Sequence, residues 1–118
     1  MKYVFLAYAD EHQLAAMPAN QRDALANACL ANDEALRNSG HLLTATSLQR
    51  SCSAAIVRVQ NGKASVTDGP LAKTKQQLIG IFTISARDLN EAIQVAAKMP
   101  QARGGPIEVR PIMEFGQP

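Results

Sequence analysis

Two arginines, a tyrosine and two acids are the side chains best suited to hold or work on a polar small molecule: Arg58, Arg110, Tyr8, Asp68 and Glu108. Glu108, Arg110 and Glu114 share one parity of an apolar C-terminal run, while Ile107, Val109 and Met113 share the other. Arg58 likewise points opposite to Val57 and Val59. With Val109 and Met113 turned towards helices, Arg110, Glu108 and Arg58 lie on the opposite sheet face. Charges buried there need partners or a polar ligand. Arginine–glutamate pairing between two copies of the chain is the expected solution. A small acidic ligand held by the arginines is the alternative, with the Tyr8 hydroxyl in the same cleft.

Asp68 belongs to the run Thr67-Asp68-Gly69-Pro70-Leu71-Ala72-Lys73-Thr74-Lys75. Its carboxylate suits neighbouring backbone N–H groups, Gly69 allows positive φ, and Pro70 fixes the next φ. That makes Asp68 a turn residue before it is an acid–base group. Lys73 and Lys75 flank Thr74, as a solvated loop or an anion contact. Arg103-Gly104-Gly105 offers a backbone nest for an anion or, more simply, a turn.

Cys29 falls on an apolar helix stripe and reads as a small buried hydrophobe, while Cys52 sits in a polar loop. His12 lies in a charged segment. His41 follows a helix-stop glycine, where a partly positive ring suits the helix end, and no carboxylate stands near it in sequence. The cysteines fit no zinc spacing or C-x-x-C pattern, which reads as free thiols in a reducing cytoplasm. No metal or cofactor is expected.

The elements that must position these residues follow from pattern. Lys2 to Ala9 reads as a strand, Asp10 to Met17 as a connection, and Pro18 or Asn20 to Ser39 as a long helix ended by Gly40. Leu25, Cys29, Asn32 and Leu36 form its stripe, and Ala24, Ala28, Ala31 and Ala35 suggest close approach to a sheet. Leu42 to Leu48 is a second strand. Ala54 to Gln60 and Lys63 to Thr67 make a hairpin about Asn61-Gly62. Leu78 to Ile84 is a central strand, and Asp88-Leu89-Asn90-Glu91 is a capping box opening a helix buried through Leu89, Ala92, Ile93 and Ala96. Ile107 to Phe115 is the last strand. The order β-α-β-β-β-β-α-β gives an α+β fold: a ferredoxin-like sandwich, its antiparallel sheet covered by two helices on one face.

Val4 and Leu6 against Phe5, and Ile84 and Phe82 against Ile81, put apolar residues on both parities of the strands, so a second apolar face needs cover. A second copy is the simplest cover, giving a homodimer of the dimeric α/β barrel type.

The 118 residues suit one domain spanning 1–118, and 47% hydrophobic against 19% charged residues argues against disorder. A formal charge of +2 with scattered basic residues excludes a nucleic-acid stripe. No apolar run approaches the ~20 residues of a membrane span, and Val4-Phe5-Leu6-Ala7 lacks the flanks of a signal peptide. A cytoplasmic location is expected.

With the Asp68-Gly69-Pro70 loop, Ala102-Arg103-Gly104-Gly105, Glu108-Val109-Arg110-Pro111 and Met113-Glu114-Phe115 in place, the chain resembles the YCII-related family, in its DGPF subgroup, over nearly its whole length. The resemblance implies a small bacterial ferredoxin-like homodimer of unassigned activity. Its relatives' genes often adjoin those of extracytoplasmic-function sigma factors, which implies a regulatory partner. The subgroup loop usually reads Asp-Gly-Pro-Phe-Ala-Glu-Thr-Lys-Glu; here Leu71 replaces the aromatic, and Lys73 and Gln76 replace the two glutamates. On a loop lining a cleft, that exchange favours a smaller or more anionic ligand. The wider family's proposed catalytic His and Asp correspond to Cys29 and Met99, so that acid–base pair is missing.

The leading expectation is a non-catalytic accessory protein binding a small molecule or a regulatory partner. The alternative is a cofactor-independent enzyme resembling a lactone isomerase or dehydrohalogenase and acting on a ring acid, with Asp68 and Tyr8 as acid–base groups. A docking module built around an exposed Leu71 loop is the third.

Overall fold

Lys2–Asp10 alternates between buried and half-buried positions, and in the computed structural model of the protein, which describes residues 1–114, it forms strand β1. Two antiparallel neighbours flank it: β5 (Gln76–Ser85) and β6 (Ile107–Pro111). β2 (Leu42–Ser47) pairs with the far side of β5, giving the order β2-β5-β1-β6. The hairpin β3 (Ala55–Gln60) and β4 (Lys63–Asp68) is a separate two-stranded sheet. With that hairpin set aside, the arrangement is α+β and compatible with a ferredoxin-like fold. The part of the expected last strand beyond Pro111 is not strand as far as Glu114, and Phe115 lies outside the described residues.

Tyr3, Phe5, Ala7, Phe82 and Ile84 face the helices and form the core with Leu42, Ala92, Ala96 and Met99. Among the described residues, three α-helices accompany the sheet. α1 (Glu11–Ala16) occupies the segment expected to be a plain connection. The Asp10 carboxylate caps it, accepting from the N–H groups of His12 at 2.9 Å and Gln13 at 3.3 Å. That bond satisfies otherwise orphaned donors of a first turn. α2 (Ala19–Asn38) and α3 (Leu89–Ala97) match their expected positions. Asp88 caps α3 by accepting from Glu91 N–H at 2.9 Å.

Burial departs from the sequence pattern in both helices. α2 has no fully buried residue, and Ala24, Ala31 and Ala35 face solvent, so these alanines do not seat the helix on the sheet. Along α3, Ala92 and Ala96 are buried, but Leu89 and Ile93 are 44% and 48% exposed.

Turn chemistry explains the connections. Asn61 and Gly62 have φ values of 53° and 75°, the left-handed pair that a tight hairpin requires. Gly69 departs from expectation: its φ is not positive. A Cβ there would stand 2.7 Å from Ala54 Cβ, so the position needs glycine for close approach across the base of the hairpin. Gly105 is required for a similar reason, because a Cβ would collide with the Tyr8 carbonyl where the chain enters β6.

The molecule is a plate of 47 × 47 × 19 Å with a radius of gyration of 16.3 Å. A compact chain of this length has a radius of roughly 13.5 Å. The excess fits a hairpin that stands out from the sheet: Val57, Val59 and Val66 share one hairpin face and are 63–68% exposed.

Candidate functional site

Register decides which of the sequence-selected charges meet. Leu6 opposes Glu108 and Val4 opposes Arg110, which places both charges on the sheet face away from the helices, beside Val4 and Leu6. This is the parity expected from the sequence. Tyr8 joins them, its hydroxyl donating to Glu108 Oε1 at 3.2 Å. Burial, this hydrogen bond and the Glu108 charge push the Tyr8 phenol up, with Arg110 pulling weakly the other way. A phenol so held stays protonated and is a poor general base.

The remaining selected residues are elsewhere. Arg58 lies mid-hairpin opposite Ser65, and Asp68 ends β4 opposite Ala55. Lys75 and Lys73 are exposed on the following loop, with Leu71 74% exposed. Among the described residues, no hydrogen bond or ion pair joins Arg58, Asp68 or Lys75 to the Tyr8–Glu108 pair. Pro70 follows a cis peptide bond. Gly104 closes the short 3-10 turn Pro100–Arg103, and its N–H bonds to the Gln101 carbonyl at 3.1 Å. The loop after β4 contributes neither Leu71 nor Lys73 to the lining of the cavity described next.

A concavity beneath α2 has a volume of about 590 Å³, inside the usual range of ligand sites, ~300–1,000 Å³. Its floor is built from small side chains: Ala7 and Ala9 on β1, Gly80 on β5, and Ala45 and Ser47 on β2. Phe82 and Ile79 add apolar area. Leu25, Ala26, Cys29, Leu30 and Asp33 of α2 form the roof, and Pro100 and Gln101 close one end. The cavity exists because helix and sheet contribute too little bulk along this line to fill the gap between them. Exposed Arg22, Leu30 and Arg37 mark where it meets solvent.

Polar groups in the walls are sparse and poorly satisfied. Among the described residues, Asp33 Oδ1 and Gln101 Oε1 are shut off from solvent without a hydrogen-bond partner, as is Asn32 Nδ2 next to Asp33. Burial pushes the Asp33 carboxyl up, opposed by the Arg37 charge. Burial also pushes the Cys29 thiol up, assisted by the Asp33 charge. Cys29 therefore lines a cavity rather than a packed core, and it does so as a protonated thiol. Met99, by contrast, is 1% exposed and serves the core. Neither side chain restores an imidazole–carboxylate pair.

A second polar cluster escaped the sequence reading. His41 Nε2 stands 3.2 Å from Glu91 Oε1, and its Nδ1 is 2.7 Å from Ser39 Oγ. Glu91 also accepts from Arg87 Nε at 2.5 Å. The carboxylate missing near His41 in sequence thus comes from the capping box of α3. That cluster ties the end of α2 to the start of α3, and Ser39 Oγ is already engaged with the Leu36 carbonyl at 3.0 Å.

Among the described residues there is no cluster of three potential metal ligands, and no helix is long and apolar enough to cross a membrane.

A four-stranded antiparallel sheet with its helices on one face, and a cavity under the longest, defines an α+β protein compatible with the ferredoxin-like class. The YCII-related domain matches residues 1–116, and the chain belongs to that family. An uncharacterised protein of Rhizobium meliloti (strain 1021) is 32% identical over 114 residues, covering 95% of this chain and 92% of the relative.

Proposed function

We propose that the protein binds a small organic molecule in the cavity beneath α2 and acts as a non-catalytic accessory protein. One observation carries this reading: about 590 Å³ of mostly apolar space lies between α2 and a floor of alanine and glycine. A long helix with no fully buried residue is poorly stabilised by packing, and an apolar ligand supplies the missing contacts. Membership of the DGPF subgroup is supported by the Asp68-Gly69-Pro70 loop, and the regulatory setting implied by that subgroup suits a ligand sensor.

The enzymatic alternative draws support from a single feature, the raised Asp33 carboxyl inside the cavity. It is weakened by Cys29 and Met99 at the positions of the wider family's proposed pair. Asp68 and Tyr8 do not line the cavity, so a reaction there would depend on Asp33 instead.

A homodimer of the dimeric α/β barrel type completes the proposal. Val4, Leu6, Tyr8, Ile81 and Thr83 leave the uncovered sheet face only half-buried, and the flat single chain gains most by stacking that face on a second copy. Glu108 and Arg110 are then placed for pairing between copies.

The test of the binding reading is a thermal-shift screen of small organic compounds against wild type and Ala45→Phe, which places a ring in the cavity floor. Hits that raise the wild-type melting temperature and fail on the filled variant support the reading. Hits indifferent to the filling, or none at all, reject it.

A further inference from the structure

The cavity beneath α2 opens into a neighbour. A second concavity of about 380 Å³ adjoins it, and the two share Leu14, Arg22 and Ile79 in their walls. Arg50 and Glu11 line this outer space together with Arg22. Arg50 is placed there by a contact between distant parts of the chain. It precedes the 3-10 turn Ser51–Ser53, and that turn is fastened to α1: the Glu11 carboxylate accepts from Ser51 N–H at 2.8 Å and from the Ser51 hydroxyl. Both arginines are exposed, and among the described residues neither guanidinium donates a hydrogen bond or joins an ion pair. Arg37 lies about four turns further along α2, ~22 Å at the helical rise, and takes no part in this grouping.

A guanidinium is always charged, only donates, and matches the two oxygens of a carboxylate. Two of them here face one carboxylate, Glu11, whose oxygens already serve Ser51. The net charge of the outer space is therefore a single positive one, which balances one anionic group. An apolar chain lying in the inner space has its polar end at the shared wall, beside Arg22.

We infer that the cavity takes an amphipathic carboxylate, its apolar body beneath α2 and its head received in the outer space by Arg22 and Arg50. This rests on the binding reading above and specifies its chemistry. The acidic ligand expected from the sequence is retained on different arginines, since Arg58 and Arg110 line neither space.

The experiment titrates the whole ¹⁵N-labelled protein with octanoate, octan-1-ol, octyltrimethylammonium and acetate. Octanoate is expected to bind at least about tenfold more tightly than the alcohol or the ammonium, the scale of a hydrogen bond to a charged group. Its shifts should include both Arg22 and Phe82, and acetate, which has no body, should bind more weakly still. Added salt should narrow the preference, because the arginines are exposed. Arg22→Gln should remove most of the preference and Arg50→Gln part of it, with octan-1-ol binding kept in both. Equal binding of octanoate and octan-1-ol, acetate as tight as octanoate, or a preference that survives both substitutions overturns the inference. In each of those cases octan-1-ol shifts at Cys29 and Phe82 leave the binding reading standing. If no probe shifts Cys29 and Phe82, both fail together.

Discussion

Asp33 sits one helical turn beyond Cys29 on α2, and both side chains line the same cavity. Their proximity couples two titrations: the Asp33 charge adds to burial in holding the Cys29 thiol protonated.

The first consequence concerns stability and pH. Burial raises the Asp33 carboxyl above its ordinary value, so the folded protein holds this proton more tightly than the unfolded chain. Stability therefore falls as pH rises from the ordinary aspartate range through the raised value, and the loss is complete above it. Asp33→Asn is expected to melt higher than wild type at about pH 7 and to converge with it near about pH 3, where both forms are neutral. Melting curves across that range check it; a constant offset would contradict the assignment.

The thiols should differ in reactivity. Cys52 is exposed, while Cys29 is half-buried with its thiol pushed up. At about pH 8, Cys52 should react with a thiol reagent at least about tenfold faster than Cys29, because the thiolate is the nucleophile. Peptide mapping after timed labelling reads the ratio. Asp33→Asn should speed Cys29 labelling, since it removes the charge that opposes the thiolate.

Close approach at the hairpin base gives a third outcome. Gly69→Ala would bring a methyl to 2.7 Å from Ala54 Cβ and is expected to cost about 1–3 kcal/mol, the scale of overpacking. Ala54→Gly in the same chain should recover much of that loss. Denaturant titration of the single and double variants measures it, and failure of the rescue would point to some other role for Gly69.

The proposed dimer is most exposed to failure at Leu6, which opposes Glu108 on the uncovered sheet face. Leu6→Glu places like charges side by side and should weaken self-association by about a hundredfold, a penalty of the size that like charges impose at an interface. Light scattering over a concentration series gives the result. Leu71→Ser, on the exposed loop, should leave association unchanged; if it dissociates the dimer instead, the interface has been placed on the wrong surface.

Much of this architecture was legible because its signals are local. Asn61-Gly62 and the Asp88–Glu91 box specify their own backbone geometry, and the parity of Ile107 to Arg110 placed Glu108 and Arg110 on the correct face. Helix α1 was missed despite a readable signal, Asp10 followed three residues later by Gln13, because six residues are too few to show a helical period. The cavity depends on what no short window contains: small side chains from three strands meeting the underside of α2. Asp33 stood next to the stripe through Leu25, Cys29, Asn32 and Leu36, yet only the helix's stand-off from the sheet makes it a wall residue. The His41–Glu91 contact was hidden for a similar reason, since fifty residues of chain separate its partners.

The central claim is that the space beneath α2 receives a small molecule. The most direct measurement is an NMR titration of the ¹⁵N-labelled protein with indole, whose ring is apolar. The account predicts saturable shifts at Cys29, Asp33, Phe82 and Gln101, with Arg58 and Val66 unmoved. Shifts confined to the hairpin or to the Tyr8–Glu108 face, with the α2 resonances still, would contradict it.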